Sequence, residues 1–327
     1  MRGCPGLHSE LKLAVPWGHI ALKVWGSQKN PPVLCLHGWL DNANSFDRLI
    51  PLLPQDFCYM AMDFGGHGLS SHYNPGLPYY QQNFVSEVRR VATAFKWNQF
   101  NLLGHSFGGC VGGTFACMFP EMVDKLILLD STPFFLDSNE MENILTYRRR
   151  NIEHTLQVEA SQKKSLRAVS PEEMLQGFLN NNSHLDKDCG ELILQRGTTK
   201  VDAGLVLNRD RRISWPENSF DFISKEMFVH SAKSLQASVL MIKALQGYYD
   251  VRRVNDADKA PMHFMVDTLR STLKEVRCAA REVDGLGTCQ LLAPLKFLWI
   301  SWVGTTPDPK SRQASSLYGR SPDIWNI

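Results

Sequence analysis

The 327-residue chain is 43% hydrophobic and carries 35 basic against 33 acidic residues, a formal charge of +2. It is long enough to bury a substantial core as one large domain with an insertion, and the balanced charge gives no electrostatic reason to expect nucleic acid or an anionic membrane as partner. Eight cysteines (Cys4, Cys35, Cys58, Cys110, Cys117, Cys189, Cys278 and Cys289) are scattered without a C-x-x-C pair, which points to a reducing compartment.

Residues 1 to 17 contain no apolar stretch of signal-peptide length. The longest late apolar run, Leu291 to Gly304, is interrupted by Lys296 and falls short of the roughly 20 residues a spanning helix requires, so no transmembrane segment is expected. A cytoplasmic address follows. Perinuclear or peroxisomal association is the alternative, although the terminal Trp325-Asn326-Ile327 is not a peroxisomal tripeptide.

Four short runs, Val33 to Leu36, Cys58 to Met62, Phe100 to Leu103 and Lys125 to Leu129, are nearly continuous in apolar residues and bounded by turn formers. Runs apolar on both faces suit a parallel sheet covered by helices. Between the second and third, Phe84, Val88, Val91 and Phe95 recur at helical spacing and predict a crossover helix over Tyr79 to Lys96. Residues 133–233 are rich in charge and helix formers, with helices predicted over Met141 to Ala160 and Pro171 to Leu179; an excursion of that length needs structure of its own and reads as an inserted helical cap. A fifth strand, Ser238 to Ala244, and a helix, Met262 to Lys274, follow. From Val276 the character changes: Val276 to Gly285 makes a poor strand, and residues 305–327 are rich in Pro, Ser, Gly and charge. The expected division is a core in two parts, 1–132 and 234–275, a cap over 133–233, and a poorly ordered tail over 276–327.

Gly104-His105-Ser106-Phe107-Gly108 lies between a predicted strand and a small-residue helix. This is the pattern of a nucleophile elbow, a sharp turn that lifts a serine hydroxyl clear of the sheet while the flanking glycines leave room for the backbone. Attack by Ser106 on an acyl carbon needs donors for the resulting oxyanion. The Phe107 N–H follows the nucleophile, and His37-Gly38-Trp39, directly after the first apolar run, is placed to supply the second donor from the Trp39 N–H. Asp63-Phe64-Gly65-Gly66-His67-Gly68 closes another strand at the same sheet edge.

In order and spacing these three motifs resemble the α/β-hydrolase family over roughly Val33 to Asp250, and the stretch from Leu11 to about Glu275 is similar to its serine hydrolase-like branch. The resemblance implies a mostly parallel sheet with helices on both faces, an inserted cap, no cofactor or metal, a small-molecule acyl substrate and a serine–acid–histidine triad. Asp250, in Gly247-Tyr248-Tyr249-Asp250, matches the placement of the acid; Asp130, at the end of the preceding core strand, is the other position that related hydrolases use.

The histidine should follow the last strand. Beyond Asp250 the sequence offers only His263, too early for a final strand to intervene, and where the family has V-x-G-x-H this chain reads Val283-Asp284-Gly285-Leu286-Gly287. His263 and His67 are weak substitutes; His105 is expected to turn inward and pack. The last strand and helix are expected to be missing or disrupted, with a sheet edge left exposed. The change near Val276 suggests an alternative C-terminal exon or a frameshift.

Other features have plainer readings. Gly112 and Gly113 let the elbow helix approach the sheet, Arg148-Arg149-Arg150 suits a solvated helix face, and Phe134, Phe135 and Trp215 fit core packing better than an acyl pocket. The sequence thus predicts a serine hydrolase lineage acting on a carboxylic ester or similar compound, impaired by the lack of a base. The rival is a non-catalytic binding protein or inactive splice product with the same fold.

Overall fold

The computed structural model describes residues 8–136, 140–161, 168–182, 185–214, 220–244, 256–273 and 276–281. The chain begins with an antiparallel hairpin, β1 (His8–Val15) and β2 (Gly18–Trp25), and continues through β3 (Pro32–Leu36), β4 (Cys58–Met62), α1 (Gln81–Ala94), β5 (Phe100–His105), α2 (Phe107–Met118) and β6 (Val123–Leu129). It then leaves the sheet for α3 (Glu140–Ser161), α4 (Pro171–Asn181), α5 (Lys187–Gly197), a small hairpin of β7 (Thr198–Val201) and β8 (Gly204–Leu207), and α6 (Lys225–Ser234). β9 (Ser238–Ala244), α7 (Asp256–Thr272) and β10 (Val276–Arg281) complete the order.

The large sheet runs β1-β2-β4-β3-β5-β6-β9-β10, antiparallel at its β1-β2-β4 side and parallel from β4 onward. Alternation along each strand divides the core in two. Leu34, Leu36, Leu102, Leu126, Leu128 and Val239 face one cluster with apolar residues of α1, α2, α6 and α7. Val33, Cys35, Leu103, Ile127, Leu129 and Leu240 face the other, capped by Phe46, Leu49 and Ile50 from short turns between β3 and β4. Burial on both faces explains why the parallel strands are apolar throughout.

Two expectations need correction. The final strand is present: Val276–Arg281 pairs in parallel with β9, from Val276↔Val239 to Arg281↔Ala244, so β9 is not the sheet's edge. An edge strand takes its order from the backbone ladder on one side, which tolerates the poor strand formers Arg277, Ala279 and Ala280. The excursion is also not purely helical, because it contains the β7–β8 hairpin, whose turn uses Gly204 at φ +133°. The expected final helix and residues 282–327 lie outside the described residues. Among the described residues no helix is long and apolar enough to cross a membrane.

A buried ion pair fastens the excursion to the sheet. Asp63, wholly buried after β4, accepts from the Ala43 N–H at 2.7 Å, the Leu69 N–H at 2.8 Å and the Arg196 Nε at 2.8 Å. Arg196, on α5, also meets Glu10 of β1 at 2.7 Å. Removing one partner of a buried pair leaves the other charge uncompensated. Arg196→Ala is expected to cost about 3–5 kcal/mol, read as a lower urea midpoint with an unchanged slope.

Candidate active site

The site is built where β3, β4 and β5 end. β5 stops at His105, α2 starts at Phe107, and Ser106 between them has φ +49° and ψ −118°, a conformation a side chain seldom adopts. Ser106 is exposed, and its backbone is pinned: its N–H donates to Leu129 O at 3.0 Å, while its carbonyl accepts from Ser131 Oγ at 2.6 Å and the Gly109 N–H at 2.9 Å. The glycines are sterically required. A Cβ on Gly104 would lie 2.5 Å from Gly109 Cα, and one on Gly108 would lie 2.1 Å from Leu36 O and 2.7 Å from His37 O.

That close approach brings the end of β3 against the elbow. The Trp39 and Phe107 rings meet edge-on at 4.8 Å between centroids, and Trp39 Nε1 donates to Ile213 O of the excursion at 3.0 Å. Among the described residues neither the Trp39 nor the Phe107 backbone N–H has a protein acceptor. Leu40, next to Trp39, is itself at φ +64°, and the turn is closed by the Asp41 N–H donating to Gly38 O at 3.1 Å. The helix start at Ser106 adds a positive dipole end to these donors.

The histidines divide by environment. His37 is fully buried; its Nε2 accepts from the Phe64 N–H at 3.1 Å, so its Nδ1 carries the proton donated to Gly38 O at 2.7 Å. Burial holds its pKa below the usual imidazole value, so the ring is a neutral brace between two loops. His67 is likewise buried, with Nδ1 3.1 Å from Gly65 O and Nε2 without a partner among the described residues. Burial, and then neighbouring His37, hold it well below the ordinary range. His105 turns under Gly38, as expected from sequence, with Nδ1 3.6 Å from Asp41 Oδ2. His263 is on α7, between β9 and β10. Among the described residues no imidazole hydrogen-bonds the Ser106 hydroxyl. Asp250, Trp215 and Gly287 lie outside the described residues; Asp130 stands at the end of β6 at φ +43° with its N–H on Ile242 O at 2.7 Å.

Of the aromatic residues singled out from sequence, Phe134 is a core residue packed on Phe228. Phe135 instead stacks on Phe220 at 4.0 Å, and Phe220 stacks on Phe107 at 5.2 Å, which builds an aromatic wall beside the elbow. Phe220 carried no local signal; only the bridge pairing Phe135 with Phe222 brings it back to the sheet edge. Among the described residues no group of three or more His, Cys, Asp or Glu is placed to hold a metal ion.

The chain matches the alpha/beta hydrolase fold family over residues 31–243. It is 99% identical over 270 residues to the serine hydrolase-like protein of Mus musculus, covering 83% of this chain and 87% of that one. It is 69% identical over 271 residues to serine hydrolase-like protein 2 of Homo sapiens, covering 83% and 86%. Among solved structures, the hypothetical protein PA1622 from Pseudomonas aeruginosa superposes with a TM-score of 0.72 at 26% identity, covering 89% of this chain and 99% of that one. A thioesterase domain from the curacin biosynthetic pathway gives 0.74 at 19% identity, covering 90% and 99%, a likeness of fold alone.

Two measurements follow. Ser106→Gly relieves the positive φ and is expected to stabilise the fold by about 1 kcal/mol, whereas Ser106→Ala keeps the Cβ and gains nothing; Gly108→Ala should cost about 3 kcal/mol or more, because its Cβ meets backbone. Chemical denaturation of the three variants separates the cases.

The second concerns Glu87 of α1, which accepts from the Gly65 N–H at 3.0 Å and from the Tyr73 hydroxyl and so holds the turn after β4. Burial pushes its carboxyl from 4.5 up to about 7, against those hydrogen bonds. The folded chain therefore keeps a proton that the unfolded chain releases, and stability from this group, full below pH 4.5, is lost as pH rises through about 7. The loss is about 3 kcal/mol, and Glu87→Gln is expected to flatten that part of the stability–pH curve.

Proposed function

The chain belongs to the α/β-hydrolase family, and from that footing we propose that its site is that of a serine hydrolase for carboxylic esters or related acyl compounds, with Ser106 as nucleophile. The observation that carries this reading is the exposed Ser106 held at φ +49° and ψ −118° at the start of α2. A serine there faces incoming substrate with its hydroxyl unencumbered. The Ser106 oxygen would attack the carbonyl carbon, and the negative charge that develops on the carbonyl oxygen would be taken by the Phe107 and Trp39 N–H groups, which no protein acceptor occupies among the described residues. Collapse would break the ester C–O bond, the leaving oxygen would take up the proton given up by the Ser106 hydroxyl and depart as the alcohol, and water would then hydrolyse the acyl-serine to the acid and restore the Ser106 hydroxyl. Asp250 would orient the base, and no cofactor enters.

The base itself is the weak member. His67 is buried and held neutral, His105 turns under Gly38, and His263 is on the helix between the last two strands. In a serine protease of another fold, loss of the histidine alone lowers turnover on the order of a million-fold. The residual rate there comes from oxyanion stabilisation and binding. This chain is therefore read as an impaired hydrolase. The same observation, no imidazole on the Ser106 hydroxyl among the described residues, favours a second reading, a binding protein that keeps the pocket without turnover.

A fluorophosphonate probe and a p-nitrophenyl ester separate these readings. Slow labelling and slow hydrolysis, both abolished by Ser106→Ala and unchanged by His263→Ala, are expected. Labelling that survives Ser106→Ala removes the assignment of Ser106; a complete absence of labelling supports the binding protein; labelling at the rate of an intact triad shows that a base is supplied.

A further inference from the structure

Helix α3 has two faces of different character. Its inner face packs on the rest of the excursion: Tyr147 stacks on Phe222 at 5.4 Å between centroids, His154 Nε2 lies 3.1 Å from Arg211 O, and Val158 is buried. The outer face carries Arg148, Arg149 and Arg150, as a solvated helix should, but it also carries Leu145, Ile152 and Leu156, which are 75%, 63% and 56% exposed. Their spacing of seven and four residues sets these three in one stripe along the helix. A lone exposed apolar side chain needs no explanation. Three aligned over about 17 Å of one helix and rimmed by charge mark a surface that meets something.

The charges beside the stripe say what that is. At about 100° per residue, Arg149 and Glu153 run along the same side of it, both exposed, and neither makes a hydrogen bond or an ion pair among the described residues. Two copies of the helix laid antiparallel about a two-fold axis at the level of Asn151 set this side of one against the same side of the other. Arg149 of each then stands opposite Glu153 of its partner, and the pairing is made twice, as two-fold symmetry requires. In the same register Leu145 of each meets Leu156 of its partner within about 1.5 Å along the axis, and the two Ile152 side chains flank the axis about 3 Å apart. A parallel pairing would instead bring the two arginine clusters to one height, like charge on like. An anionic membrane fits less well, because it would repel the Glu153 carboxylate that the antiparallel copy neutralises.

We infer that the outer face of α3 is the contact between two copies of this chain, an antiparallel helix pair closed by Leu145, Ile152 and Leu156 and put in register by Arg149 and Glu153. One helix face offers less than the roughly 800 Å² per partner of a standard interface, so the dimer is a weak one that forms and separates with concentration. The inference is independent of the hydrolase reading.

Sedimentation velocity of the full chain from about 1 to 100 μM tests it. A monomer–dimer equilibrium with a Kd of about 10 μM is expected. Ile152→Asp, at a position already in water, is expected to abolish the dimer and leave the melting temperature unchanged. Arg149→Glu should weaken the dimer about tenfold, and Arg149→Glu combined with Glu153→Arg should restore it. Photo-leucine crosslinks between Leu145 and Leu156 are expected in the dimer, a pair too far apart along one helix to be joined within a chain. A chain that is monomeric throughout the range, a dimer that survives Ile152→Asp, or one indifferent to the charge swap overturns the inference. So does flotation of the chain with phosphatidylserine vesicles that is lost in Ile152→Asp, which would make the stripe a membrane contact. Crosslinks from Leu145 or Leu156 to residues 282–327 would make it a seat for the chain's own tail and would overturn the inference as well.

Discussion

The Asp63 carboxylate is the junction on which the sheet edge depends. Its two oxygens receive the Ala43 and Leu69 N–H groups and Arg196, which joins the loop after β3, the turn after β4 and helix α5 at one point. Gly68 must be glycine there for a second reason besides its φ of +51°, since a Cβ would lie 2.4 Å from that carboxylate. A buried charge in this position is costly unless every lone pair finds a donor. Once satisfied, it fixes three segments that no continuous strand connects.

Polar groups around this junction are used in a consistent way. Tyr79 donates to Asp210, Arg212 clamps Asp210 and three carbonyls, and His37 bridges Gly38 to Phe64. These bonds hold loops, which lack a ladder of their own. Against that network, Trp17 Nε1, Ser45 Oγ, His67 Nε2, Asn101 Oδ1, His105 Nδ1 and Arg196 Nη2 stand out as buried polar atoms without a hydrogen-bond partner among the described residues. Proteins tend to break their own packing rules where they bind something else.

Much of the frame was legible in the sequence because burial on both faces writes a continuous apolar run: β3, β4, β5, β6 and β9 each carry one. β1 was less visible, since Leu11, Leu13 and Val15 alternate with Glu10 and Lys12 on a half-exposed strand. β10 was hidden, since its backbone pairing with β9 lies outside any local preference. The elbow was legible down to the residue, because a glycine-flanked serine between strand and helix leaves few backbone solutions. The contact between Asp63 and Arg196 was not. Residues separated by more than a hundred positions meet there.

Positioning of the nucleophile and supply of the base are separate problems in this chain. Everything that bends Ser106 lies between Leu36 and Ser131: Gly104 and Gly108 by their lack of a Cβ, Leu129 and Ser131 by their hydrogen bonds. The Ser106 side chain gives nothing back to the fold, as its hydroxyl holds no partner among the described residues while Ser131 carries the local bonding. A conformation of this kind costs of the order of 1–3 kcal/mol. A structural role would be served better by glycine, and the proposed role of Ser106 as nucleophile would account for a strained serine here. In the proposed triad the base would come from the part of the chain after β9, which among the described residues meets the elbow's sheet through the β6–β9–β10 ladder. Changes in that distant segment can therefore remove a proton acceptor without relaxing the elbow.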